Sequence, residues 1–113
     1  MHELSLARGI LGIVEAEQKK SGFTRVLEIS LKVGEYSGVV PGCLEEFFPI
    51  AAEGGPAENA RLRIEELPAV FRCPDCGFEG RPDRGRACCP GCGGERIRMI
   101  SGRDFYVENI LVE

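Results

Sequence analysis

Six cysteines stand at positions 43, 73, 76, 88, 89 and 92. Four of them form two matched pairs: Cys73-Pro74-Asp75-Cys76 before Gly77, and Cys89-Pro90-Gly91-Cys92 before Gly93. Each pair reads as a tight turn that aims two sulfurs at one point, with proline starting the turn and glycine taking the positive-φ position after it. Two such knuckles facing each other make a tetrahedral four-sulfur site with metal–sulfur distances near ~2.3 Å, as zinc prefers. The thiolates form as the metal binds. A closed four-thiolate site keeps no position for water, so its role is structural. Three other chemistries compete. A disulfide framework would need an oxidising compartment. A thioredoxin-like redox pair needs one knuckle, not two. Iron in place of zinc stays open on spacing alone. Cys88 abuts Cys89, but as a ligand it would leave a three-residue gap to Cys92, so Cys89 is the expected ligand and Cys88 a spare thiol. Cys43 stands alone and reads as a small core hydrophobe.

The single histidine is residue 2. By itself a lone histidine is unremarkable, yet this position permits one specific chemistry. The Met1 α-amine, the His2 amide nitrogen and the His2 imidazole can close a five- and a six-membered chelate ring on one metal. Loss of the amide proton suits square-planar Ni(II) or Cu(II). Glu3 offers a fourth donor. The amine, with a pKa near ~7.7, is partly free at neutral pH.

Stepping outward from these residues, the chain has 113 residues, 43% hydrophobic and 28% charged, with a net charge of −4. That suits one small globular domain, or one with a small module attached, and excludes a disordered chain. No apolar run approaches the ~20 residues of a membrane span. The start, Met1-His2-Glu3-Leu4, has no basic segment or cleavage site, so a cytoplasmic chain with reduced thiols is expected. The acidic total argues against a nucleic-acid-binding surface. Seven arginines lie in residues 72–103 against four acids, but four thiolates on one divalent ion add about −2 and leave that block near neutral.

The elements follow from periodicity. Residues 4–20 read as a helix, with Leu4, Ala7, Leu11 and Val14 on one stripe and Leu6, Ile10 and Ile13 beside it. Gly9 and Gly12 weaken it by about 1 kcal/mol each. Residues 24–33 alternate as a half-buried strand, with Leu27, Ile29, Leu31 and Val33 facing inward. A second helix starts near Pro41 with the face Leu44, Phe47, Phe48 and Ala51, and Pro49 is expected to interrupt or kink it. Residues 61–67 form another strand, 69–72 lead into the knuckles, and 105–112 form a last strand whose phase slips near Glu108-Asn109. The fold class is therefore α+β: a small α/β sandwich of two helices on a three-stranded sheet, with a zinc ribbon inserted before the final strand, which returns to the first sheet. The expected division is residues 1–70 plus 104–113 as the α/β domain and 71–103 as the ribbon.

Taken together, the Met1-His2-Glu3-Leu4-Ser5 start, the Cys-Pro-x-Cys-Gly pairs and the ending Ile110-Leu111-Val112-Glu113 resemble the HypA/HybF family of nickel metallochaperones for [NiFe]-hydrogenase maturation. The likeness spans essentially the whole chain. It implies that His2 is the essential nickel ligand, with the Met1 amine and Glu3 beside it. It implies that Cys73, Cys76, Cys89 and Cys92 hold structural zinc, and that nickel is cargo. It implies delivery to a nickel-handling GTPase or to the hydrogenase large subunit, with urease supported in some bacteria, and leaves monomer and homodimer open. The junctions Ala69–Arg72 and Arg103–Phe105 are where the zinc ribbon would sense the nickel state. No G-x-x-x-x-G-K-[ST] loop is present, so GTP hydrolysis would belong to the partner. Two departures stand out: the doubled Cys88-Cys89, and the lack of a histidine in the zinc region. The competing readings are a zinc-ribbon nucleic-acid or protein-binding module using Arg81, Arg84, Arg86, Arg96 and Arg98, and a thiol oxidoreductase. The single histidine is taken up at position 2, leaving none to spare for a Ser/His/Asp set, and no open metal site is apparent, so an enzyme is not expected.

Overall fold

A computed structural model describes residues 3–82 and 88–113. The elements are α1 (Glu3–Ser21), β1 (Val26–Gly34), α2 (Pro41–Ala52), β2 (Arg61–Leu67), β3 (Val70–Arg72), β4 (Glu79–Gly80), β5 (Arg98–Ser101) and β6 (Phe105–Val112). Two three-stranded sheets result, in the orders β2-β1-β6 and β4-β3-β5. The expected sandwich with an inserted ribbon is the architecture observed. The molecule is elongated, 55 × 25 × 17 Å.

β1 is the centre of the first sheet, parallel to β2 and antiparallel to β6. Its Ile29, Leu31 and Val33 are fully buried with Ala7, Ile10 and Val14 of α1 and Leu44, Phe48 and Ala52 of α2. The opposite face carries Glu28, Ser30 and Lys32, with Lys32 bridged to Glu65 and Glu108.

The expected inward set on β1 needs one correction. A register shift lies between Val26 and Glu28. Leu27 is thus the extra residue of a bulge and is 37% exposed, while Val26 takes the buried place. A second shift sets Leu31 opposite Val107 but Ser30 opposite Asn109. Glu108 is the unpaired residue there, so the phase slip read in β6 is a β-bulge, and Phe105, Val107 and Ile110 reach the core.

The helices also differ in detail. On α1 the buried stripe is Ala7, Ile10 and Val14, flanked by Leu6 and Leu11, whereas Leu4 and Ile13 are exposed. On α2, Ala52 is buried and Phe47 exposed. Pro49 does not interrupt the helix, which runs on to Ala52. Proline removes the bond that would reach the Glu45 carbonyl. Both residues are exposed, so water can donate to that carbonyl instead. Pro41 opens the helix at its first turn as expected. Cys43 is half-buried on α2 and not a core residue, because its helical position lies off the Leu44–Phe48 face.

Short loops join each helix to β1, so α1 and α2 both run antiparallel to it. The 19 residues of α1 span about 28 Å, close to the ~30 Å of a nine-residue strand. The start of α1 therefore stands at the Gly34 end of β1, the end where the second sheet is attached. That attachment is built of backbone. Gly34 N–H donates to Asp104 O at 2.6 Å, Glu35 N–H to Leu67 O at 2.9 Å and Tyr36 N–H to Gly102 O at 2.7 Å. The Tyr36 ring meets Phe71 edge-on at 6.4 Å.

Candidate metal centre

The two knuckles are one turn used twice. Cys73 N–H donates to Phe78 O at 2.9 Å, and Gly77 N–H donates back to Cys73 O at 2.9 Å. In the second, Cys89 N–H donates to Gly94 O and Gly93 N–H to Cys89 O, both at 2.8 Å. Gly77 and Gly93 sit at φ 80° and 76°, where any side chain would be strained, so the glycine after each pair is a geometric requirement. The knuckles hang from the β4-β3-β5 sheet: the first lies between β3 and β4, the second before β5.

Each turn presents a buried sulfur, from Cys73 or Cys89, and an exposed one, from Cys76 or Cys92. All four lie within 4.8 Å of one another. Cys73 Sγ is 3.7 Å from Cys92 Sγ, and Cys76 Sγ is 3.5 Å from Cys89 Sγ. A tetrahedron with Zn–S near ~2.3 Å has an edge of about 3.8 Å. The donor set and its spacing therefore fit a tetrathiolate metal. Cys88, half-buried, is not among the converging sulfurs.

Without metal the sulfurs compete for protons. The Cys89 thiol is lowered to about 7: burial raises it, but the backbone N–H groups of Cys92 and Gly91 and the thiols of Cys76 and Cys73 outweigh that by stabilising the thiolate. Cys76 is pushed up to about 12. The backbone N–H of Phe78 lowers it, yet the neighbouring sulfurs, Cys89 foremost, and burial together prevail. Cys92 is raised too, its Gly94 backbone contact being outweighed by Cys73, burial and Cys89. Of these three sulfurs, Cys89 is the one whose surroundings favour the thiolate, and those of Cys76 and Cys92 favour the thiol.

Three of the ribbon's arginines are held in ion pairs. Arg72 pairs with Glu79 at 3.1 Å, Arg96 with Asp75 at 3.4 Å, and Arg81 with Glu35. Arg84 and Arg86 lie outside the described residues. A cavity of about 520 Å³ covers the open face of the first sheet around Lys32, Arg63, Glu65 and Glu108 and is lined by none of the cysteines.

Of the N-terminal chelate, Met1 and His2 lie outside the described residues. Glu3 is described; it opens α1 as its first-turn acid, half-buried. Sequence reading did not single out Glu35, Tyr36 or Gly34, which join the two sheets. Their contacts at the junction involve residues 32 to 70 positions away, with no local signature.

Among the described residues no helix is long and apolar enough to cross a membrane. Residues 1–112 match a family model described as hydrogenase/urease nickel incorporation, metallochaperone, hypA. A hydrogenase maturation factor HypA from Chlorobium luteolum is 39% identical over 113 residues, covering all of this chain and 97% of its own. One from Cereibacter sphaeroides is 38% identical, with both chains fully covered. The solution structure of the nickel metallochaperone HypA from Helicobacter pylori matches with a TM-score of 0.70 at 19% identity, covering 99% of this chain and 97% of that one. A second HypA solution structure gives 0.76 at 19%, covering 100% and 97%. At that identity the two structures speak to the fold.

Proposed function

The chain belongs to the HypA family of nickel metallochaperones for hydrogenase and urease nickel incorporation, and from that premise we propose that it carries Ni(II) on its first three residues. As a metallochaperone it is a carrier and not a catalyst. The Met1 amine, the His2 amide nitrogen and the His2 imidazole supply three nitrogens in a plane, and Glu3 the fourth donor. Binding displaces the amide proton and any proton on the amine. Returning those protons is the route by which nickel leaves. Delivery requires exchange, so an affinity near micromolar, about 8 kcal/mol, suits the task. Copper would bind more tightly by the Irving–Williams order, so selection rests on metal supply and partners.

Cys73, Cys76, Cys89 and Cys92 are the ligands of a resident zinc. When bound, it cross-links the two knuckles without redox chemistry and closes the ribbon. Residues 1–70 with 104–113 form the nickel-binding domain and 71–103 the zinc-ribbon domain. The receiving partners are the maturation GTPase, the hydrogenase large subunit and the urease accessory proteins. The observation that carries the reading is the family match across residues 1–112, combined with a lone histidine placed at residue 2. Titrating Ni(II) into zinc-loaded, untagged protein beside His2→Ala tests it by calorimetry and by the visible absorption of square-planar nickel. About one nickel per chain, lost in the variant, is expected. Equal binding by both proteins would place nickel elsewhere and end the N-terminal reading.

A further inference from the structure

Glu35 directly follows β1, at the end where the two sheets meet. Its carboxylate is gripped by both arms of Arg81: Nη1 donates to Oε1, and Nη2 donates to Oε2 at 2.7 Å. Oε1 also accepts the Ala69 N–H at 2.8 Å. Three segments thus converge on one side chain: the end of β1, the passage from β2 to β3, and the residue after β4. The backbone bonds of the junction engage only the two connections, near Leu67 and near Gly102–Asp104. A line through those two connections is the axis about which a turn of the ribbon would disturb the fewest of these bonds. Arg81 stands on the ribbon's edge, off that axis, because β4 pairs with β3 on the side away from β5.

We propose that Glu35 is a positioning residue: gripping Arg81, it sets the orientation of the zinc ribbon over the end of the sheet where α1 begins, so that a nickel acceptor meets both as one surface. This rests on the reading that nickel binds at residues 1–3. The pair's side chains are 35% and 50% exposed, and an ion pair that open adds little to stability. Its geometry matters more. A guanidinium bonded in parallel to both carboxylate oxygens fixes direction as well as distance, which a single lysine-type contact does not. The Ala69 N–H, from the same α/β domain as Glu35, holds the carboxylate in place, so the fork has a fixed anvil.

The test is residual dipolar couplings on the zinc-loaded full chain, compared for wild type, Arg81→Lys, Arg81→Gln and Glu35→Gln. Wild-type amides from both sheets should fit one alignment tensor. Arg81→Gln and Glu35→Gln should need two, with the ribbon's reduced, and Arg81→Lys should fall between. High salt, which shortens the screening length to ~3 Å at 1 M, should move wild type toward the variants. Nickel affinity should stay within about twofold, because the ligands are local. Nickel incorporated into hydrogenase in cells carrying Arg81→Gln should fall severalfold. One tensor fitting Arg81→Gln, or two needed for wild type, would overturn the proposal. Split tensors with undiminished nickel incorporation would overturn its functional half. Failure of nickel to bind residues 1–3 would leave the couplings unchanged, and so strikes the function reading separately.

Discussion

Replacing Gly34 with alanine tests the junction at its tightest point. A Cβ at Gly34 would stand 2.3 Å from Gly102 O, 2.5 Å from Gly102 C and 2.8 Å from Asp104 N. All three are backbone atoms, so no flexible side chain can yield. The entry to β6 would have to retreat by about 1 Å to reach ordinary contact. Overpacking of this kind costs about 1–3 kcal/mol. The retreat also stretches the Gly34–Asp104 and Tyr36–Gly102 hydrogen bonds, at 2.6 and 2.7 Å, each worth about 1 kcal/mol. Removing glycine's freedom from the unfolded chain returns about 0.5–1 kcal/mol. The net loss is about 2–4 kcal/mol, a large part of the ~5–15 kcal/mol that holds a domain this size. At about 4 °C per kcal/mol the midpoint of thermal unfolding should drop by about 8–16 °C. Circular dichroism of the zinc-loaded protein reads this directly. A midpoint within about 2 °C of wild type would mean that the two glycines are not locked together, and the account of the junction would fail.

Gly9 and Gly12 present the opposite case. Both are exposed on α1 and a Cβ at either meets nothing within 4 Å, so Gly9→Ala and Gly12→Ala should each add about 0.5–1 kcal/mol, read as a higher urea midpoint with unchanged slope. Cys88→Ser should retain one zinc per chain and Cys89→Ser should lose it, measured by metal content after desalting; equal retention by both would reassign the fourth ligand. With Cys89 ionising at about 7 and Cys76 held at about 12, zinc entering at pH 7 must displace about two protons or more. Its apparent affinity should therefore fall as pH is lowered, and release of clearly fewer than about two protons in a weakly buffered titration would contradict the protonation of these sulfurs.

The repeating elements were legible because burial imposes a period on them. The alternation in β1 and β2 and the slip in β6 could be read from residue type alone. Leu27 could not: a bulge moves one residue between faces without altering composition, so Leu27 and Val26 exchange roles though both are apolar. Pro49 misled for a related reason. Its cost depends on whether the orphaned Glu45 carbonyl faces water, and that is known only once the helix has a buried side.

The four converging cysteines were legible for a stronger reason. A Cys-Pro-x-Cys-Gly turn builds its own geometry from neighbours in sequence, through bonds such as Gly77 N–H to Cys73 O, before any tertiary contact forms. Cys89 was separable from Cys88 by counting to Cys92, because the knuckle admits one spacing. Nothing comparable marks Glu35. Ala69 and Arg81, which its carboxylate engages, are 34 and 46 residues distant, and an isolated glutamate after a strand looks like any solvated acid. Gly34 and Gly102 are equally silent, since what requires them is the approach of one backbone to another. Chemistry written in spacing can be found in one dimension. The relative placement of two modules depends on contacts between segments the chain brings together only on folding, and there a single carboxylate on three segments outweighs any motif.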